Sequence, residues 1–207
     1  YHQFYEGGEY SDAFSNDLFH TELIPAAYVL FSSKIGKRFT YKAGLRGELS
    51  TVTLTSSHED LDVRNNDFFV SPSLSGTLRL AENQDLSLAF SRRVGRPAYP
   101  QLNPYMSMVD ATTYEQGNMH LRPEKSSKLD LSYNFKSRKV QVFADAYMNY
   151  TTDYISQITK ISDGLLITTY INGTSDLKTG ADLSLKLLPA KWMSATLSAN
   201  TFYVNTK

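Results

Sequence analysis

The side chains that most often do chemistry are sparse in this chain and scattered along it. The four histidines, His2, His20, His58 and His120, stand apart, and none has a second ligand at a metal-binding interval. A structural zinc takes four protein ligands, so each imidazole reads as a loop or strand-end residue. Glu59, Asp60 and Asp62 gather in the 55–67 segment. A calcium loop needs several oxygens at fixed intervals and a turn glycine, and here the pattern is incomplete, so this is a solvated acidic loop. There is no cysteine, which excludes disulfides, thiolate metal sites and a cysteine nucleophile. No Gly-Lys-Ser/Thr phosphate loop, no Gly-x-Ser-x-Gly elbow and no acid–base carboxylate pair stands out. No catalytic, metal or cofactor residue is assigned, and an enzymatic reading has nothing to rest on. The formal net charge is zero, so no global field draws in nucleic acid.

One segment is dense in groups that recognise ligands. Residues 91–126 open with Ser91-Arg92-Arg93-Val94-Gly95-Arg96-Pro97 and run through Tyr99, Asn103 and Tyr105 to Gly117 and Pro123. Four prolines, Pro97, Pro100, Pro104 and Pro123, restrict its backbone and argue for an ordered loop. The candidate ligand-binding residues are Arg92, Arg93, Arg96, Tyr99, Asn103 and Tyr105. Two readings of the arginines stand side by side. They face a pore or an anionic ligand, or they pair with loop carboxylates such as Asp110, Glu115 and Glu124 and lock the loop.

The elements that must position this loop are strands. Period-two alternation predicts them at 20–34, 39–54, 68–80, 85–93, 127–135, 140–152, 178–187 and 192–204. On 39–49, Phe39, Tyr41, Ala43, Leu45 and Leu49 alternate with Thr40, Lys42, Arg46 and Glu48. The wet faces also carry Arg79, Lys128, Asp130, Asp145, Asp182 and Lys186. Short turns fall near Gly36-Lys37-Arg38, Ala81–Gln84, Lys136–Lys139 and Pro189-Ala190-Lys191, whereas 55–67, 94–126 and about 153–177 are long connections. Short turns on one rim and long loops on the other mark an outer-membrane β-barrel.

Three features favour a membrane wall over a soluble sheet. The strands commonly reach nine or more residues, as a spanning strand requires. Their apolar faces mix Leu with Ala and Gly, because lipid does not demand the complementarity of a packed core. Aromatics such as Phe39, Phe68, Phe69, Trp192, Phe202 and Tyr203 gather at strand ends, where an interfacial girdle belongs. No run of apolar residues is long enough for a transmembrane helix. The alternative that alternation alone leaves open is a soluble or surface-anchored β-sandwich that binds or adheres.

The blocks "GLRGE" (44–48), "SRRVGRPAYPQLNP" (91–104) and "GNMHLRPEKS" (117–126) resemble the barrel of TonB-dependent outer-membrane receptors, in the Bacteroidetes-type β-barrel branch. "TELIPAAYVLFSSKIGKRFTYKAGLRGE" (21–48) and "YINGTSDLKTGADLSL" (170–185) are similar to strand–turn–strand units of that branch. The resemblance implies an all-β antiparallel up-and-down meander, about eight strands of a larger barrel. It implies outer-membrane location, with long loops outside and short turns in the periplasm. It implies import of a scarce ligand (siderophore, cobalamin, glycan or peptide). The implied partners are outer-membrane lipid, a plug domain, the TonB complex and a surface lipoprotein, with no cofactor. Residues 1–207 match the barrel alone and contain no plug, so the chain is expected to be one piece of a longer polypeptide. Such a slice carries an apolar face and two strand edges, and is expected to close on itself, pair those edges with a neighbour or sit within a larger assembly.

Overall fold

A computed structural model describes residues 2–6, 9–16, 18–56, 61–162 and 164–207. Period-two alternation predicts no strand in the first nineteen residues. Two strands form there, β1 (His2–Glu6) and β2 (Glu9–Asn16), paired with each other as a separate antiparallel sheet.

The main sheet begins with β3 (Phe19–Leu23) and β4 (Ala26–Ile35). These replace the single strand predicted at 20–34. The break falls at Ile24-Pro25, since proline has no N–H to give to a ladder. Pro25 still takes part through its carbonyl, which accepts the Leu49 N–H at 3.0 Å. Next come β5 (Phe39–Ser56), β6 (Leu61–Ala81) and β7 (Gln84–Gly95). β3 pairs with residues 51–55 of β5 and β4 with residues 39–48, so together they form one interrupted edge strand. The segment 55–67 is therefore mostly strand, not loop. Residues 57–60, including His58, Glu59 and Asp60, lie outside the described residues.

The chain then leaves the sheet. A single helical turn, α1 (Tyr99–Leu102), and two short strands, β8 (Ser107–Met108) and β9 (Thr113–Glu115), precede β10 (Glu124–Lys136) and β11 (Val140–Thr152). A hairpin of β12 (Ile155–Ser162) and β13 (Leu165–Asn172) leads to β14 (Ser175–Ala190) and β15 (Met193–Thr206). The main sheet runs β15-β14-β11-β10-β7-β6-β5 and ends at β3 and β4, every pair antiparallel and in meander order. The four predicted short turns all lie at one end.

Register sorts the side chains onto two unlike faces, because residues opposite each other in a ladder share a face. One face reads Val29, Leu45, Leu74, Phe90, Leu129, Met148, Leu183 and Leu197 across successive strands. All of these are exposed, Leu45 at 50% and Leu197 at 70%. The other face carries Lys42, Arg46, Glu48, Ser73, Ser91, Lys128, Asp130, Asp145, Asp182 and Lys186. Every charge that the alternation assigned to the wet side stands there.

The wall has almost no interior of its own. Its buried apolar residues are few, and four of them form one cluster: Leu18, Leu54, Leu102 and Leu121, with Val63, Tyr105, Met119, Ile155 and Tyr170 packed around it. This core lies where the long connections fold down onto the polar face of β5 and β6. The sheet does not close. β15 pairs with β14 and β4 with β5, and their outer edges have no partner among the described residues. Closure of so few strands leaves a lumen only wide enough for side chains. Here that space would have to take Phe69, Tyr147, Phe202 and the whole loop core.

Candidate ligand-binding pocket

The loop core is built by two connections that act as one body. β13 lies parallel to β9, giving a four-stranded sheet in the order β12-β13-β9-β8. The Leu166 N–H donates to Thr112 O (2.8 Å) and the Gln116 N–H to Thr168 O (2.9 Å). Asn172 ties three segments. Its Oδ1 accepts the Arg122 N–H (2.8 Å), and its Nδ2 donates to Arg122 O (2.9 Å) and Asp153 O (2.7 Å). Asp153 adopts φ 54°, a left-handed conformation that Asp tolerates better than most residues. Its carboxylate pairs with Arg122 at 2.8 Å and Lys125 at 3.4 Å.

Within the 91–126 segment the backbone folds back on itself at Gly117. The Gly117 N–H donates to Asn103 O and the Asn118 N–H to Gln101 O, both at 2.7 Å. A Cβ at residue 117 would stand 2.6 Å from the Gln101 and Asn103 carbonyl oxygens, so only glycine fits.

The segment is anchored to the wall by Arg96. Its Nη2 donates to Glu48 Oε2 at 2.6 Å, its Nε lies 3.4 Å from Glu22 Oε1, and its guanidinium lies 5.9 Å from the centre of the Phe69 ring. Arg46 Nε donates to the other oxygen of Glu48 at 2.6 Å. The Glu48 side chain is only 10% exposed, so its charge needs both guanidinium partners. The loop-locking reading expected Asp110, Glu115 or Glu124 to hold the arginines. For Arg96, wall carboxylates do so instead. Asp110 closes its own turn, accepting the Thr112 N–H at 2.8 Å. That backbone bond, with hydroxyls of Thr113 and Thr112, holds its carboxyl below the ordinary range. Glu115 accepts the Tyr170 hydroxyl at 2.7 Å. The bond to Glu115, then burial, pushes the Tyr170 phenol above its usual pKa.

Beside Arg96 a pocket of about 270 Å³ opens between wall and loop. Val52, Leu102 and Leu121 give it apolar surface, and His20, Glu22, Asn65, Asp67 and His120 give it polar groups. Register puts His20 and Glu22 on the same polar face as Val52, Leu54 and Asn65. The Asp67 carboxylate and the His120 imidazole make no side-chain hydrogen bond or ion pair among the described residues, which leaves them available to a ligand. His20 packs against Tyr99 with ring centres 6.0 Å apart. Among the described residues no cluster of three or more histidine or acidic side chains can hold a metal.

The six candidate residues part company. Arg96 lines the pocket, and Tyr99 stands behind His20, its hydroxyl donating to Leu18 O at 3.5 Å. Asn103 turns into the loop, where its Oδ1 accepts the Tyr105 N–H at 3.1 Å. Tyr105 packs on the loop core and shares a hydrogen bond with Ser56 Oγ at 2.7 Å. Arg93 lies on the polar face of β7, opposite Ser126, but does not line the pocket. Arg92, opposite Ser127 and two residues from Phe90, lies on the apolar face and points away from the lumen. His20, Glu22, Asn65, Asp67 and His120 were not candidates. For His20 and Glu22 the signal was alternation on the strand predicted at 20–34; for Asn65 and Asp67 it was hidden where 55–67 reads as loop, and His120, in the long 94–126 connection, carried none.

The model of the outer membrane protein beta-barrel family matches residues 1–207. No curated protein matches the chain. Among solved structures it is similar to the copper transporter OprC, at TM-score 0.73 and 15% identity over 89% of this chain and 29% of that one. It is likewise similar to a double mutant of the Serratia marcescens hemophore receptor HasR in complex with its hemophore HasA and heme. There the TM-score is 0.74 and the identity 14%, over 88% of this chain and 34% of that one. The ferric yersiniabactin uptake receptor FyuA from Yersinia pestis gives TM-score 0.61 and 18% identity over 92% and 28%. The chain thus spans roughly a third of the length of these structures.

Proposed function

Because the chain belongs to the outer membrane protein beta-barrel family, whose members lie in the bacterial outer membrane, we propose that it forms part of the wall of a TonB-dependent receptor. In this reading the apolar face meets the bilayer, the polar face lines the lumen, and the long connections stand outside the cell. The receptor takes up a scarce ligand: a siderophore, cobalamin, a glycan or a peptide. Its partners are its own plug domain, the TonB complex and a surface lipoprotein. The wall segment performs no catalysis. It supplies lumen side chains and an ordered extracellular body with a ligand pocket at Arg96, Glu22, His20, Asp67 and His120.

One observation carries this reading. An exposed apolar face runs across every strand of the main sheet, and among the described residues no second sheet covers it. A β-sandwich would bury that face against a partner sheet. The test is to express the full-length protein in an outer-membrane host. Uptake of ferric chelates, cobalamin, oligosaccharides and peptides is then measured with and without TonB. Uptake of one class that stops without TonB supports the reading. A full-length protein that stays monomeric and soluble without detergent overturns it.

A further inference from the structure

The outward face changes character at its loop end. Toward its loop end the exposed apolar face carries aromatics, Phe68, Phe90, Tyr150 and Tyr203, which are 65%, 36%, 43% and 62% exposed, and register sets Tyr150 level with Arg92 across Ser127. Aromatics toward the strand ends of an outward face belong to the interface between hydrocarbon and headgroups. Immediately beyond Phe90, on the same face of β7, stands Arg92. It is exposed, and its side chain makes no hydrogen bond or ion pair among the described residues. Ser127 lies opposite it on β10, and Lys125 is two residues further along that same outward face. The carboxylate within reach of Lys125 is Asp153, which is already shared with Arg122. Cations therefore outnumber carboxylates at this border.

A lone arginine is costly against hydrocarbon, so its place at the membrane edge calls for an anionic partner in the headgroup layer. Arg forks match phosphate oxygens two at a time, and Lys adds a point charge beside them. We propose that Arg92, seconded by Lys125, binds the phosphate of a phosphorylated lipid in the outer leaflet and fixes the depth of this part of the wall. This rests on the reading of the apolar face as membrane-facing. Arg92 then serves the lipid, while Arg96, four residues on, serves the pocket.

The test uses the full-length protein in detergent, stripped of lipid and then titrated with bis-phosphorylated lipid A or its dephosphorylated form. Bound lipid is counted by native mass spectrometry. The wild type is expected to hold lipid A at least tenfold more tightly than the Arg92→Gln/Lys125→Gln variant. The dephosphorylated lipid should bind both proteins alike and weakly. Arg93→Gln, on the opposite face of the same strand, should change nothing. Arg92→Lys, which keeps the charge, guards against a variant that fails to fold and should lose less than the double variant. Equal lipid A binding by wild type and double variant overturns the proposal, as does equal binding of the two lipids by the wild type. So does complete competition by millimolar inorganic phosphate, which would make the site one for a free anion. Heat-modifiable migration of each variant on gels reports barrel folding separately. A folded variant that loses lipid A supports the proposal, whereas a wild type that never inserts counts against the membrane reading itself.

Discussion

Replacing Arg96 by alanine should release the extracellular body from the wall without unfolding the wall. Arg96 holds Glu48 at 2.6 Å and Glu22 at 3.4 Å, and its side chain is 21% exposed. Stranding one member of a buried pair costs about 3–5 kcal/mol. Glu48 keeps Arg46 at 2.6 Å, so the lower range for charged hydrogen bonds applies, and we expect about 2–3 kcal/mol. That cost falls on local opening of the loop. Hydrogen exchange at Gly117 and Asn118, whose amides donate at 2.7 Å, should quicken by roughly 30- to 150-fold, at about 1.4 kcal/mol per factor of ten. Arg96→Lys should fall between, keeping a charge but losing the fork. Exchange measured by mass spectrometry on the full-length protein in detergent decides it. Unchanged protection at 117 and 118, or equal acceleration throughout β5 and β6, would refute the anchoring role.

Three further outcomes follow from the same geometry. Leu183→Arg puts a charge on the outward face and should destabilise the barrel in liposomes by about 2–4 kcal/mol, read by urea unfolding. Ser184→Arg, one residue along on the polar face, should cost under about 1 kcal/mol. Gly117→Ala would force a methyl against two carbonyl oxygens and should destabilise the loop by roughly 1–3 kcal/mol, seen as faster proteolysis between residues 96 and 123. Because its partner Glu115 raises the pKa of Tyr170, that phenol should stay protonated at pH values where exposed tyrosines ionise. Absorbance titration of wild type against Tyr170→Phe should show the missing phenol only at the alkaline end of the curve.

The membrane-spanning part of the fold was legible because hydrocarbon on one side and water on the other impose strict alternation, as in Leu129, Leu131, Tyr133 and Phe135 of β10. Beyond the membrane that constraint lapses. On 51–56 both faces meet water or loop, so Thr51, Thr53 and Thr55 replace the leucines and the strand merges into apparent loop. β12 and β13 were missed although Asp163-Gly164 separates two β-branched runs, a strong hairpin signal, and Gly164 has φ 78°. The Gly7-Gly8 pair between β1 and β2 is a similar cue. The pocket was less legible still. His20, Asp67 and His120 meet only because two connections pack on the inner wall around Leu54, a contact between residues distant in sequence that no local pattern encodes. Arg92 and Arg96 looked alike in sequence, and strand parity sends the first outward.

Alternate lipid and water exposure along one strand tests the account most directly. The chain has no cysteine, so single cysteines can be placed at each position of β11 from residue 142 to 150 in the full-length, reconstituted protein. Each is labelled with a fluorophore and challenged with brominated lipid and with an impermeant aqueous quencher. The account predicts lipid quenching at positions 142, 144, 146 and 148 and aqueous quenching at 143, 145, 147 and 149. Quenching by both agents without a period of two, or aqueous access at every position, would contradict it.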